Sequence, residues 1–430
     1  MKAMMLTKHK LGELLEVTRG ASLSGEYFST QGDYMRLTCG NFDYQNNCFK
    51  SNTSKDNLYY TGNFNQEYLM KKDDIITPLT EQAVGLLGST AWVPESGKYI
   101  QSQDVAKITP NEKLLDKKFC YYLISSKVVK QQLSAAAQQT KIRHTSPDKI
   151  KDCTVWIPSL EEQTKVGQFL YDIDSKIALN RQINDNLEAM ARQLYDYWFV
   201  QFDFPDENGR PYKSSGGKMV WNEMLKRDIP EAWETSTIKD IAKTYSGGTP
   251  KSTNSEFYEN GNIPWINSGE LNEPIITSSP NYITQLGLDN SSAKKYPKGT
   301  ILIALYGATA GKVSYLSFEA CSNQAVCGVM TNNKALSDYV RYYLSSLYEH
   351  FVTLSTGSAR SNISQETVKD TMIILPSNKI LAMFNKVSNN IMKVLISNKI
   401  QIDSLTKQRD ELLPLLMNGQ ATVNYHLSDD

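Results

Sequence analysis

Two stretches of the chain, SPDKIKDCTVWIP at residues 146–158 and SQETVKDTMIILP at 364–376, are one pattern written twice. Ser, Lys, Asp and the closing Pro coincide, and Ile/Val, Val/Ile, Trp/Ile and Ile/Leu exchange one apolar residue for another. Upstream, FCYYLISS (119–126) matches VRYYLSS (340–346), and SQDVAKI (102–108) matches SNQAVCGV (322–329) with one extra residue. DDIITPL (73–79) matches GTILIAL (299–305), and LGELLEVTRG (11–20) matches IKDIAKTYSG (238–247). The offset falls from 227 (Leu11 to Ile238) to 218 (Ser146 to Ser364), as it does when two copies of one fold differ in loop length. A repeat of this length requires two homologous domains in the 430 residues.

Each copy has the same order of parts. A mixed region carries short β-branched and aromatic runs between Gly, Pro and Asn, which reads as an α/β (α+β) globule. A short helix then begins at Ser146 or Ser364, both suited to the N-cap, with Pro147 at the first helical position of the first copy. A strand ends at Pro158 or Pro376, and one long helix follows. In the first helix SLEE (159–162) is a capping box, with Ser159 reaching forward and Glu162 back. Beyond it runs a heptad of Val166, Ile173, Asn180, Leu187 and Leu194, flanked by Leu170, Ile177, Asn184, Ala191 and Trp198. The second helix gives Phe384, Ile391, Asn398, Leu405 and Leu412, beside Ser388, Leu395, Ile402, Arg409 and Leu416. A seven-residue period predicts a coiled-coil seam, and Asn180 and Asn398, at matching places, are expected to fix its register. Helices of about 40 residues make a rod of about 60 Å. The expected architecture is two globular domains, 1–158 and 233–376, on two long antiparallel coiled-coil helices, 159–200 and 377–420, related by a pseudo-two-fold internal repeat. Residues 201–232, rich in Gly, Pro, Ser and charge, read as a linker with local turns, and 421–430 as a tail. Pro414 is expected to kink or stop the second helix.

Catalytic chemistry finds no foothold in these residues. LYGATAGK (305–312) begins like a phosphate-binding loop, but Tyr306 and Val313 stand where a glycine and a Mg²⁺-binding hydroxyl belong. Its counterpart LTEQAVGL (79–86) keeps Gly311 as Gly85 and replaces Lys312 by Leu86, so the shared element is a buried strand and its turn. No G-x-S-x-G, H-E-x-x-H or C-x-x-C occurs, and neither a methyltransferase motif nor a complete nuclease motif is present. Asp174 and Lys176 form a D-x-K, read as the solvated face of the long helix. Six cysteines without pairing motifs and four scattered histidines argue against zinc and disulfide frameworks, and a reducing, cytoplasmic setting follows. No apolar run approaches a membrane span. The balance of 46 basic and 46 acidic residues excludes indiscriminate coating of nucleic acid but allows local basic patches.

Two readings remain. In the first, duplicated heads on an antiparallel rod match the symmetry of duplex DNA and read a split, non-palindromic site. The contact candidates are Lys141, Arg143 and His144 before the first short helix, and Arg360, Ser361 and Asn362 before the second. Lys251 in GGTPKS (247–252), the basic loop KKYPKG (294–299) and Lys312 join them. In the second, the chain is a coiled-coil protein–protein adaptor without DNA binding.

The two-copy layout, IPSLEEQTKV at the first strand–helix junction, the central stretch WFVQFDFPDENGRPYKSSGGKMVWNEMLKRDIPEAW, GGTPKS and LLPLLMNGQ together resemble the specificity subunit of type I restriction–modification systems along nearly the whole chain. The resemblance implies two target recognition domains, each reading half of a bipartite asymmetric sequence, and a chain that is not itself an enzyme. It implies double-stranded DNA as ligand, with two modification (methyltransferase) and two restriction (ATP-dependent translocase/endonuclease) subunits as partners. S-adenosylmethionine, ATP and Mg²⁺ would then belong to those partners, with no cofactor in this chain. The second junction, LPSNKILAMF, departs from the pattern by lacking EEQ.

Overall fold

The computed structural model describes residues 5–81, 85–136, 143–356 and 362–423. The chain forms two compact units, residues 1–177 with 404–430, and residues 178–403. Each holds one globular head and parts of both long helices.

In the first unit the head opens with the strand Thr7–Lys10, which pairs antiparallel with its last strand, Thr154–Ile157. A four-stranded antiparallel sheet forms the centre, in the order Ala91–Trp92, Ile75–Pro78, Val105–Pro110, Leu15–Arg19. Its inner strand Ile75–Pro78 is buried at every position, which is why the run IITP shows no alternation. The second unit repeats this plan. Glu234–Thr237 pairs with Met372–Leu375, and the central sheet runs Ala242–Ser246, Val326–Thr331, Ile301–Ala304, Val313–Leu316, Ile275–Ile276. The repeat reaches further than the sequence matches. A smaller sheet in each head holds one parallel pair, Met35–Arg36 with Tyr99–Ile100 in the first and Ile263–Ile266 with Cys321–Ser322 in the second.

The short helices start as expected. Ser146 Oγ accepts from the Lys149 N–H at 3.3 Å and Ser364 Oγ from the Thr367 N–H at 2.9 Å, with Pro147 in the first turn. LYGATAGK is indeed the turn after a buried strand. Gly311 and its counterpart Gly85 both take left-handed backbone, φ +82° and +96°, which a side chain would strain.

The first long helix spans Leu160–Tyr195 and ends in a π-helical turn, Asp196–Val200, that turns Trp198 and Phe199 into the core. Its capping box is half made. Ser159 Oγ accepts the Glu162 N–H at 3.5 Å, while the Glu162 carboxylate takes Lys165. The second helix spans Asn378–Met417 and passes Pro414, stopping one turn later at Gly419, φ +67°. The heptad positions face inward. In the first unit Val166 and Leu170 share a core with Leu416 and Met417. In the second, Leu187 packs with Met392 and Leu395. Within each unit the helices therefore run antiparallel.

Residues 201–232 are more than turns. Phe202, Phe204 and Ile229 are buried with Trp233, and Met219–Asn222 forms a hairpin with Arg227–Pro230. Asp203 ties the stretch together by accepting the Ser214 N–H at 2.7 Å and hydroxyl at 2.6 Å.

Asp174 is not on a solvated face. Arg409, a charged residue in a seam position, donates to it at 2.9 Å, and Tyr122 of the head donates its hydroxyl at 2.7 Å. Burial first, and then Asp174, push the Tyr122 phenol far up, so it remains a donor. Gln163 fastens the same head a second time. It accepts the Asp116 N–H at 2.9 Å and donates to the carbonyls of Leu114 and Pro158 at 3.2 and 3.0 Å. This is the residue that the second junction lacks, where Leu381 stands at the matching offset. In the second unit Arg341 serves instead, donating from both terminal nitrogens to Glu188 at 3.1 and 3.4 Å. Among the described residues no helix is long and apolar enough to cross a membrane.

Removing Arg409 leaves Asp174 without its cation in the seam, whereas Arg409 also holds Asp410 at 2.8 Å. Arg409→Ala should lower stability by about 3–5 kcal/mol, and Arg409→Met with Asp174→Leu should recover most of it. Equilibrium urea unfolding of the three proteins measures the difference.

Candidate nucleic-acid interface

At one end of each central sheet three chain segments meet. In the first head the Leu79 N–H donates to Asp104 O at 2.8 Å, and its carbonyl accepts the Thr145 N–H at 2.9 Å. In the second the Leu305 N–H donates to Ala325 O at 2.8 Å, and its carbonyl accepts the Ile363 N–H at 2.7 Å. The segment before each short helix is thus stitched to the turn after the central strand. Arg143–His144 pairs antiparallel with Thr80–Glu81, and Asn362 bridges to Tyr306.

Close approach of backbone completes this end. A Cβ on Gly20 would lie 2.2 Å from Gln101 O, and one on the matching Gly247 2.2 Å from Asn323 O. Gly248 abuts Ser292 and Ala293 in the same way, so the loop carrying Lys251 rests against the start of the basic loop at 294–299. Lys294 lies over the Tyr245 ring, 4.7 Å from its centroid.

The candidates separate by environment. His144 and Asn362 are exposed on matching edges, and Lys251 is exposed on its loop. Arg143 is turned back, 3.6 Å from the buried carboxylate of Glu81 and donating to Ser134 Oγ at 3.0 Å. Lys312 does not join Asn362. Its amine donates to Asn272 Oδ1 at 2.5 Å, in a cleft of about 840 Å³ that Arg192, Arg341, Asp185 and Glu349 also line. Lys141, Arg360 and Ser361 lie outside the described residues. Asn180 donates to Gln401 Oε1 at 3.2 Å, and Asn398 to Asn184 Oδ1 at 2.9 Å, so each takes a different partner from the one its matching place suggests. Sequence reasoning passed over Thr80, Asp104 and Tyr306. The signal for Thr80 and Tyr306 was present in the alignment of LTEQAVGL with LYGATAGK, and that for Asp104 in the alignment of SQDVAKI with SNQAVCGV. Among the described residues no group of His, Cys, Asp and Glu is arranged to hold a metal.

The family described as the type I restriction modification DNA specificity domain matches this chain twice, over residues 6–189 and 230–412. The chain belongs to that family. Each match runs from the first strand of a head into the long helix that follows it, so the family's unit is the repeat itself. Two specificity-domain relatives are the HindI specificity subunit of Haemophilus influenzae and the MjaIX specificity subunit of Methanocaldococcus jannaschii. The first is 26% identical over 376 residues, covering 75% of this chain and 81% of the relative. The second is 26% identical over 327 residues, covering 75% and 73%. The crystal structure of a type I restriction–modification S subunit from M. genitalium shares the fold, with a TM-score of 0.63 at 17% identity over 97% of both chains.

In this specificity-domain chain Glu81 is 6% exposed and depends on Arg143 for its counter-charge. Arg143 is itself half in solvent, which screens the pair. Arg143→Ala should cost about 1 kcal/mol, and adding Glu81→Gln should return most of it. A double-mutant cycle of thermal unfolding provides the check.

Proposed function

We propose that this chain is the non-catalytic specificity subunit of a type I restriction–modification complex, reading a bipartite, asymmetric duplex sequence. The observation that carries this is the duplicated sheet end, where the same backbone stitching holds different side chains in the two heads. Residues 1–158 and 233–376 are the two target recognition domains. Residues 159–200 and 377–420 are the conserved helices, 201–232 joins the copies, and 421–430 is a tail. The proposed contact set is Lys141, Arg143, His144, Arg360, Ser361, Asn362, Lys251 and Lys312. Within it Arg143 and Lys312 are engaged by Glu81 and Asn272, which leaves exposed Lys251 for phosphate and His144 and Asn362 for the base edges. Asn180 and Asn398 hold the helix register.

The helices also serve as the platform for two modification and two restriction subunits. In the second unit Leu179, Ile183 and Met190 expose apolar side chains on the first helix at spacings of four and seven, and Met383, Val387 and Val394 do so on the second. Such stripes outside the seam suit further helices packed alongside. S-adenosylmethionine, ATP and Mg²⁺ bind those subunits, and the complex works in the cytoplasm.

Long-read methylation sequencing tests the proposal, in a host carrying this chain with its modification partner and in the same host with this chain deleted. A split adenine-methylated motif that vanishes on deletion is the expected result. Modification without any dependence on this chain would favour the adaptor reading. Affinity of the assembled complex for duplex DNA should fall steeply with salt, and Lys251→Ala should flatten the log–log slope by about one. Replacing Asn184 and Asn398 together by Leu should raise the melting temperature while relaxing helix register. Calorimetry and cysteine cross-linking across the seam read these two effects.

A further inference from the structure

Leu79 and Leu305 do the same work in the two heads, and the residues around them divide into two classes. One class is copied. Both leucines are buried, both short helices begin at a capping serine, and the two backbone bonds at each leucine agree in length within a few tenths of an ångström. The other class is not copied. Thr80 faces His144 in the first head where Tyr306 faces Asn362 in the second. Asp104, whose carbonyl takes the Leu79 N–H, corresponds to Ala325, which is 3% exposed and apolar.

Side chains that maintained the scaffold would be expected to match where the scaffold matches. These do not, and all but Ala325 reach solvent at least in part. In the first head they form one group, with Thr80 Oγ1 3.4 Å from His144 Nδ1 and donating to Asp104 Oδ1 at 3.5 Å. Arg143 is excluded from the group by its pairing with Glu81.

We propose that Thr80, Asp104 and His144 in the first head, and Tyr306 and Asn362 in the second, are the specificity-determining residues of their half-sites. This rests on the DNA-reading function proposed above. The chemistry narrows what each reads. The Asp104 carboxylate offers oxygen acceptors, so the first cluster selects a base offering an amino group in the major groove, cytosine or adenine. Asn362 presents an acceptor and donors together, the pattern that meets the N6 and N7 edge of adenine. The phenol of Tyr306 borders that contact and restricts its approach. The two heads thus read different bases from one frame.

The test uses the full chain with its modification partner and reads the methylated motif by long-read sequencing. Asn362→Gln, and Tyr306→Thr with Asn362→His, should change or relax one half of the motif and leave the other half and the gap alone. Asp104→Asn should do the same to the opposite half only. Preference at the affected position should fall about tenfold or more. An unchanged motif in all three variants, with methylation retained, overturns the proposal. Where a variant no longer methylates, the assembled complex is titrated with a duplex bearing the wild-type motif and with duplexes altered at each position of that half. Lost discrimination at one position supports the assignment. Equal weakening on every duplex means a scaffold or phosphate role and overturns it. If no motif depends on the wild-type chain, the DNA-reading function fails as well, and that failure is recognised before any variant is made.

Discussion

The pairing of each head's first strand with its last constrains everything around it. Thr7–Lys10 against Thr154–Ile157, and Glu234–Thr237 against Met372–Leu375, bring the entry and exit of a head to one place. A long helix can then begin within a few residues of that place in both copies. The central sheet closes a loop of more than a hundred residues, and its far end is free to carry side chains without disturbing the junction. Loops inside the head can differ in length for the same reason, which is how an offset can drift from 227 at Leu11 to 218 at Ser146 while the frame stays the same.

The helices are held by more than an apolar seam. Leucines and isoleucines supply area, but area tolerates sliding. The polar members do not. Asn184 reaches both Asn398 and the Leu395 carbonyl, and Arg409 meets Asp174 at one level only. Displacing either helix by a turn would strand these groups without partners, and a buried group left unpaired costs more than a typical hydrogen bond contributes. Fastening a head to its helix follows the same logic with different residues, Gln163 in one unit and Arg341 in the other.

Much of this was legible from local signals. Capping serines, the seven-residue period and the repeated strands all depend on neighbours within a turn or two, and each appears where the sequence places it. The small sheets were not legible, because strands such as Met35–Arg36 and Tyr99–Ile100 are two residues long and pair in parallel across a wide separation. Asp174 read as a surface group, since its attraction to Arg409 acts over 235 residues of sequence. Residues 201–232 have a linker's composition, yet Phe202, Phe204 and Ile229 anchor the stretch by packing with Trp233. For the site, alignment located the segments before the short helices. It could not reveal that the turn after the central strand lies beside them, nor that Arg143 turns inward to Glu81.

The return of the second helix to the first unit has a consequence for how the protein is made. Leu416 and Met417 belong to the same core as Leu11, Phe119, Val166 and Leu170, and Gly419 sits against Leu6. Head one leaves the ribosome before head two, but part of its core is encoded at residues 416 and 417, after head two. The second unit is complete once residue 403 has emerged, so the half synthesised first is the half finished last. During that interval its apolar helix face waits for a partner from the second long helix, exposed to proteases and to neighbouring nascent chains.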